Sequence, residues 1–173
     1  MLDSQEQRLS KLIKILSKTK PKKNGEEFES LDGCLAKGSV IVYVWRQHDA
    51  EVVAENINAA GISGGVVVYH GGMDSSSRSK AQSRFMRGKV RICVATVAFG
   101  LGINGQIAGV VHLYLPSSPE HYIQEIGRAG RDGRPAKAVA LVLRDEIFIR
   151  HSLAHSDLIS KSQVNALLLF LHQ

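Results

Sequence analysis

The chain has 173 residues, 44% apolar and 22% charged, a composition that suits one ordinary globular domain with a proper core. Its apolar runs fall far short of the roughly 20 residues that cross a bilayer, and no charged n-region followed by an apolar stretch opens it as a secretory signal. The formal charge of +6 and a pI of about 9.5 favour a polyanionic partner without naming one.

In chain order, Leu9, Leu12, Ile13 and Leu16 recur at helical spacing, so the first twenty residues predict an amphipathic helix. KTKPKKNGEEFESLDG then breaks the pattern with proline, glycine and mixed charge and reads as a flexible loop. Its Lys20-Pro21-Lys22-Lys23 fits either a nuclear import signal or a solvated loop. From Ser39 strands and helices alternate. SVIVYVW is a β-branched run, and HDAEVVAENINAA follows with helical spacing through Val53 and Ile57. GVVVYH is the next strand, and SSSRSKAQSRFMRG the next helix, with Ala81 and Phe85 on one face. VRICVAT, GVVHLYL and KAVALVL are three more strands, with PEHYIQEIG a helix between the last two. Unbroken apolar strands alternating with helices predict an α/β fold, a parallel sheet covered on both faces.

Ligands of such sheets gather outside the carboxyl ends of the strands. The segments that follow strands there are WRQH from Trp45, HGGM from His70, ATVAFGLGING from Ala95 and LPSSPEH from Leu115. The helix after the last of these ends in QEIGRAGRDG, and all of these segments are expected to cluster on one rim. In that decapeptide Gly127 and Gly130 leave room for a tight turn and close approach to a ligand. Arg128 and Arg131, three residues apart, are placed to converge on one polyanion, whose phosphate oxygens match the guanidinium fork. Read alone, the pair also fits a basic surface loop. The two cysteines, Cys34 and Cys93, form no zinc-type spacing, and Cys93 reads as a buried free thiol suited to a reducing compartment. His151 and His155 stand i, i+4 but lack an acidic or cysteine partner; they read as solvent-facing, and no metal site is expected.

These residues resemble the second RecA-like lobe of RecQ-type ATP-dependent DNA helicases of superfamily two. VIVYVWRQHDAE is similar to motif IV, YHGGM to the short motif after it, ATVAFGLGINGQIAGVVHLYLP to motif V, and YIQEIGRAGRDGRPA to motif VI. DEAD-box proteins carry histidine where Gln124 stands, which favours the RecQ branch. The tail lacks the cysteine-rich module of many RecQ members and is more like the Rothmund–Thomson-type branch. The chain is expected to divide into an N-terminal amphipathic helix and flexible loop over 1–38, the RecA-like lobe that the resemblance implies over 39–145, and a helical tail over 146–173 that begins a following module.

What the resemblance implies for single residues can be set beside plainer readings. Arg131 would be the arginine finger that stabilises charge during phosphoryl transfer. Arg128 would lie beside it on the phosphates or bridge to motif V. The plain alternative is an ion pair with Asp132 or Glu125. Gln124 would link nucleotide to the DNA-contacting loops, and Gly100 and Gly102 would let motif V change shape. Asn104 and Gly105 stand where the family has aspartate and lysine; Asn104 keeps a neutral bond to a ribose hydroxyl, and Gly105 cannot replace a lysine. Thr96 would hold a DNA phosphate through its hydroxyl and amide, though motif V also reads as an ordinary glycine turn. Arg46, His70, Gly71 and Gly72 would contact the single-stranded tracking strand. The alternatives are a surface ion pair for Arg46 and, for His70, a bond to a neighbouring carbonyl.

The sequence holds neither a GxxxxGK[ST] loop nor an acidic magnesium box. ATP and Mg²⁺ are therefore expected mainly on a first lobe absent from this chain, which would be a fragment, a truncated gene model or an isoform. The expected function is the second motor lobe of a 3′→5′ DNA helicase of replication, recombination and repair, nuclear if eukaryotic and otherwise in the cytoplasm or nucleoid. Its expected partners are single-stranded and duplex DNA and that first lobe, with no membrane. A non-catalytic nucleic-acid-binding module and an RNA helicase lobe are the alternatives.

Overall fold

The computed structural model describes residues 4–17, 33–97, 99, 105–143 and 145–146. Lys20-Pro21-Lys22-Lys23, Gly100, Gly102, Asn104, His151, His155 and nearly all of the tail lie outside the described residues. Five strands run β1 Ser39–Tyr43, β2 Val66–Tyr69, β3 Ile92–Ala95, β4 Ile107–His112 and β5 Lys137–Ala140. The helices are α1 Gln5–Leu16, α2 Gly33–Lys37, α3 Gln47–Ala59, α4 Ser75–Met86 and α5 Pro119–Ile126. The sheet order is β2-β3-β1-β4-β5 and every pairing is parallel. Ile41 of the central strand faces Cys93 on one side and Val110 on the other.

The two faces of the sheet make two cores because side chains alternate along each strand. Val40, Val42, Ile92, Val94 and Val111 point to the face covered by Leu12, Ile15 and Leu16 of α1, Leu35 of α2 and Ala50, Val53, Ala54 and Ile57 of α3. Ile41, Tyr43, Cys93, Ala95 and Val110 point to the other face, where Ala81 and Phe85 of α4 pack with Phe99. Both faces of β1 are thus covered, which is why its sequence is an unbroken apolar run rather than an alternating one. The short helix α2 starts at the last residue of the stretch that composition reads as loop and leads into β1. It sits where Gly109 leaves space: a Cβ there would strike the Leu35 side chain and lie 2.6 Å from the Lys137 carbonyl.

Capping sets where the site-bearing helices begin. Asp74 accepts from the Ser77 amide at 2.9 Å and starts α4; Ser118 accepts from the His121 amide at 3.3 Å, with Pro119 at the first helical position of α5. Arg8 of α1 is buried, bonded to the Leu113 carbonyl and paired with Glu146 at 2.6 Å, so α1 is tied to the end of β4.

Candidate nucleotide and nucleic-acid site

The carboxyl rim gathers the residues that follow β1, β2 and β3. The Val44 amide donates to the Ala95 carbonyl, and the Leu113 amide to the Tyr43 carbonyl, so β1 is held on both sides up to its last residue. Trp45 and Arg46 emerge directly beyond, both exposed. Arg46 is the N-cap of α3, and its amide donates to Asp49 at 3.2 Å. Among the described residues it forms no ion pair, so the plain reading of a surface pair is not met there. Thr96 is buried just beyond β3 and its amide is occupied by the Tyr69 carbonyl at 3.2 Å, which corrects the expectation that the amide holds a phosphate and leaves that contact to the hydroxyl.

His70 is buried after β2, and its Nε2 lies 3.1 Å from the Glu51 carboxylate of α3. The expected plain partner was a carbonyl; the partner is a carboxylate instead, because α3 packs beside β2 and turns Glu51 towards the rim. Its Nδ1 is buried without a hydrogen bond among the described residues. Gly71 is exposed, with open space where a Cβ would stand. Arg78 braces this turn by donating to the carbonyls of Gly71 at 3.2 Å and Met73 at 2.9 Å.

The glycine–arginine loop does not join that rim, which corrects the expectation of a single cluster. The Gly130 amide donates to the carbonyl of Ile107, the first residue of β4, at 3.0 Å. The reason is topological. β5 runs parallel to β4, so the chain must return to the amino edge before β5 can start. The eight residues of α5 rise roughly 12 Å along that return. Gly130 takes φ +69, the left-handed region that favours glycine, whereas Gly127 has an ordinary φ of −63. Only one of the two glycines is therefore required by conformation.

Arg131 is exposed, and its Nε donates to the Gly127 carbonyl at 2.9 Å, which folds the side chain back over the turn. Asp132 meets Arg134 at 3.5 Å, and the Glu125 carboxylate is engaged in the interior. Arg128 is half-buried, within hydrogen-bonding reach of the Tyr43 hydroxyl. That hydroxyl in turn donates to the carbonyl of Phe99 at 2.9 Å. Burial pushes the Tyr43 phenol well above its ordinary range, with the positive charge of Arg128 pulling the other way. The Arg128 side chain thereby links the amino-edge loop to the segment that follows β3. Gln124 is exposed on α5.

A buried polar cluster that sequence reasoning missed stands behind this link. His112 is fully buried, with Nε2 2.7 Å from one oxygen of Glu125, and Tyr114 donates its hydroxyl to the other oxygen at 2.8 Å. The His112 ring stacks on Tyr43 with centroids 5.5 Å apart. The available signal was a histidine inside the apolar run GVVHLYL, which needs a polar partner once buried.

Residues 26–133 match the family model of the helicase conserved C-terminal domain. The ATP-dependent DNA helicase Q-like 5 of Arabidopsis thaliana is 41% identical over 125 residues, 69% of this chain and 13% of that protein. ATP-dependent DNA helicase Q4 of Homo sapiens is 42% identical over 125 residues, 65% of this chain and 10% of that protein. ATP-dependent DNA helicase RecQ of Pasteurella multocida is 45% identical over 102 residues, 58% of this chain and 16% of that protein. The chain thus spans a minor part of each of these relatives. The solved C-terminal domain of the DEAD-box protein Dbp5 superposes with a TM-score of 0.64 at 22% identity, over 90% of this chain and 80% of that one, which shows the fold alone. Sheet order, covered central strand and motif residues agree with these likenesses, and the chain belongs to the helicase conserved C-terminal domain family, as a RecA-like second lobe of the RecQ type.

Proposed function

We propose that this lobe serves an ATP-dependent 3′→5′ DNA helicase that unwinds duplex DNA, working against a first lobe that holds most of the ATP and Mg²⁺. The observation that carries the reading is the different setting of the two motif VI arginines. Arg131 stands exposed on a glycine turn, whereas Arg128 is tied through Tyr43 to the carbonyl of Phe99. An exposed guanidinium on a short turn suits a finger that reaches a phosphoryl group across a cleft. A half-buried one that reaches the motif V segment only through the Tyr43 hydroxyl suits a coupler, so a change at the nucleotide is felt where DNA is held. Gln124, Gly102 and Asn104 complete the nucleotide contacts in this reading.

Arg46, His70, Gly71 and Thr96 form the DNA side. Arg46 is an exposed cation, and Gly71 offers uncovered backbone, the two kinds of group that meet phosphates. The sequence relatives are named as DNA helicases, which favours DNA over RNA as the substrate. Replication, recombination and repair, and a nuclear or nucleoid location, follow from the same reading.

The test pairs this lobe with a Walker-type first lobe in one protein. Unwinding is followed on DNA duplexes carrying a 3′ or a 5′ single-stranded tail and on a matched RNA duplex. The 3′-tailed DNA should open with ATP, and the other two should remain closed. The 173-residue chain by itself should release no phosphate from ATP with or without DNA; turnover by the chain alone would overturn the half-site reading.

A further inference from the structure

Trp45 is the one tryptophan of the chain and, at 49% exposure, a large apolar side chain left half in water. Its position is not a loop tip. It follows the central strand immediately beyond the last ladder bonds, flanked by the ends of β3 and β4. Val97, 66% exposed, stands at the corresponding place after β3, so two exposed apolar side chains share the carboxyl rim with the exposed Arg46.

The indole is also held. Its ring meets Tyr114 edge to face, centroids 5.8 Å apart and planes at 74°. Tyr114 is buried and fixed at its far end by the hydroxyl bond to Glu125 at 2.8 Å. An edge-to-face contact covers at most one face of an aromatic ring, so Tyr114 leaves at least one face of the indole clear of itself. A rigid, half-exposed aromatic beside an exposed cation is the combination that binds single-stranded nucleic acid: the base stacks and the phosphate meets the charge.

We infer that Trp45 is a stacking platform for one unpaired base of the strand that crosses this rim, with Arg46 on the adjoining phosphate. The inference rests on the nucleic-acid reading of the rim and names the part of the ligand that the rim grips. Base stacking tolerates any sequence because every base has a π-face. Trp45 therefore adds affinity for unpaired strands over duplex, whose bases are already stacked on one another.

The test uses the chain itself and two ligands: an oligothymidylate of about twenty nucleotides, and the same backbone with abasic sites throughout. Binding is measured by the anisotropy of a labelled strand while Trp45 emission is recorded separately. The expected result is quenching of the emission by oligothymidylate. Trp45→Ala should weaken oligothymidylate binding by about 5- to 150-fold, the range for loss of one stacked base, and Trp45→Phe should lie between. Neither variant should alter binding of the abasic strand, whereas a merely structural role of Trp45 would weaken both ligands alike. Oligothymidylate binding with unchanged emission and unchanged affinity in Trp45→Ala would overturn the platform and leave the rim reading standing. No binding of either ligand at low salt would overturn both.

Discussion

His112 and Glu125, on opposite elements of the β4–α5 connection, meet at 2.7 Å in a site where the histidine has no exposure to solvent. With Tyr114 on its second oxygen, the carboxylate closes a bond network that fastens the start of motif VI to the sheet. Glu125→Ala should leave two buried donors unanswered and lower stability by about 2–4 kcal/mol. Glu125→Gln keeps one acceptor oxygen for Tyr114 and should cost less. Urea denaturation of the two variants checks this; equal stability of wild type and Glu125→Ala would show that water replaces the carboxylate.

Arg131 and Arg128 should fail in different ways in a two-lobed protein. Arg131→Ala should reduce ATP hydrolysis more than about a thousandfold while DNA affinity stays nearly intact, because fingers contribute about 10³–10⁵ in rate. Arg131→Lys should rescue poorly, since a point ammonium cannot reproduce the planar fork. Arg128→Ala should lower both nucleotide affinity and the stimulation of hydrolysis by DNA, and Tyr43→Phe should reproduce the loss of stimulation. Steady-state ATPase rates with and without single-stranded DNA, beside a binding titration, separate the outcomes. Normal turnover with lost DNA affinity in Arg131→Ala would make that residue a phosphate-backbone contact.

Asp74 ties the stability of the α4 start to pH. Hydrogen bonds from Ser77 and Ser76 hold its carboxyl well below the usual carboxylate range. A folded-state value depressed below the unfolded one adds stability that is present above the ordinary aspartate range near 4 and lost as the pH falls through the folded value. Thermal unfolding midpoints of wild type and Asp74→Ala should therefore differ at pH about 7 and converge under strongly acidic conditions. A difference that does not shrink on acidification would assign the effect to something other than the ionised cap.

Cys93 lies in the interior of β3, and burial pushes its thiol well above the ordinary range. Cys34, in α2, is partly exposed. The folded chain should thus release one equivalent of chromophore with an aromatic disulfide reagent at pH about 8, and two after denaturation. Rapid reaction of both thiols in the native chain would mean that β3 opens on the timescale of the assay.

The alternation of β-branched runs with helical spacing was enough to predict five parallel strands and the four longer helices, because a strand buried on both faces must be continuously apolar. The helix α2 was not legible: GCLAK has too few residues to show a period, and it adjoins a loop-like composition. Motif residues were legible, but their placement was only half so. Arg46, His70, Gly71 and Thr96 follow strands and reach the expected rim. Arg128 and Arg131 follow a helix, and a crossover helix carries its end to the opposite edge. The His112–Glu125 pair was hidden for a different reason. His112 inside GVVHLYL signals that a polar partner is needed without saying which one, and only the return of α5 along β4 supplies Glu125.

The order β2-β3-β1-β4-β5 also bears on how the chain reaches its native state. β1 is the first strand to be synthesised, yet its neighbours in the sheet, β3 and β4, are made much later, with β2 displaced to an outer position. Until Cys93 leaves the ribosome the hydrogen-bonding edges of SVIVY have no native partner on either side, and until Val110 follows they have one on a single side. Such long-range pairing folds slowly and leaves an apolar strand open to non-native association in the meantime. A nascent chain arrested before residue 107 would carry that adhesive segment exposed along one whole edge, and it is at this stage that holdase protection matters most.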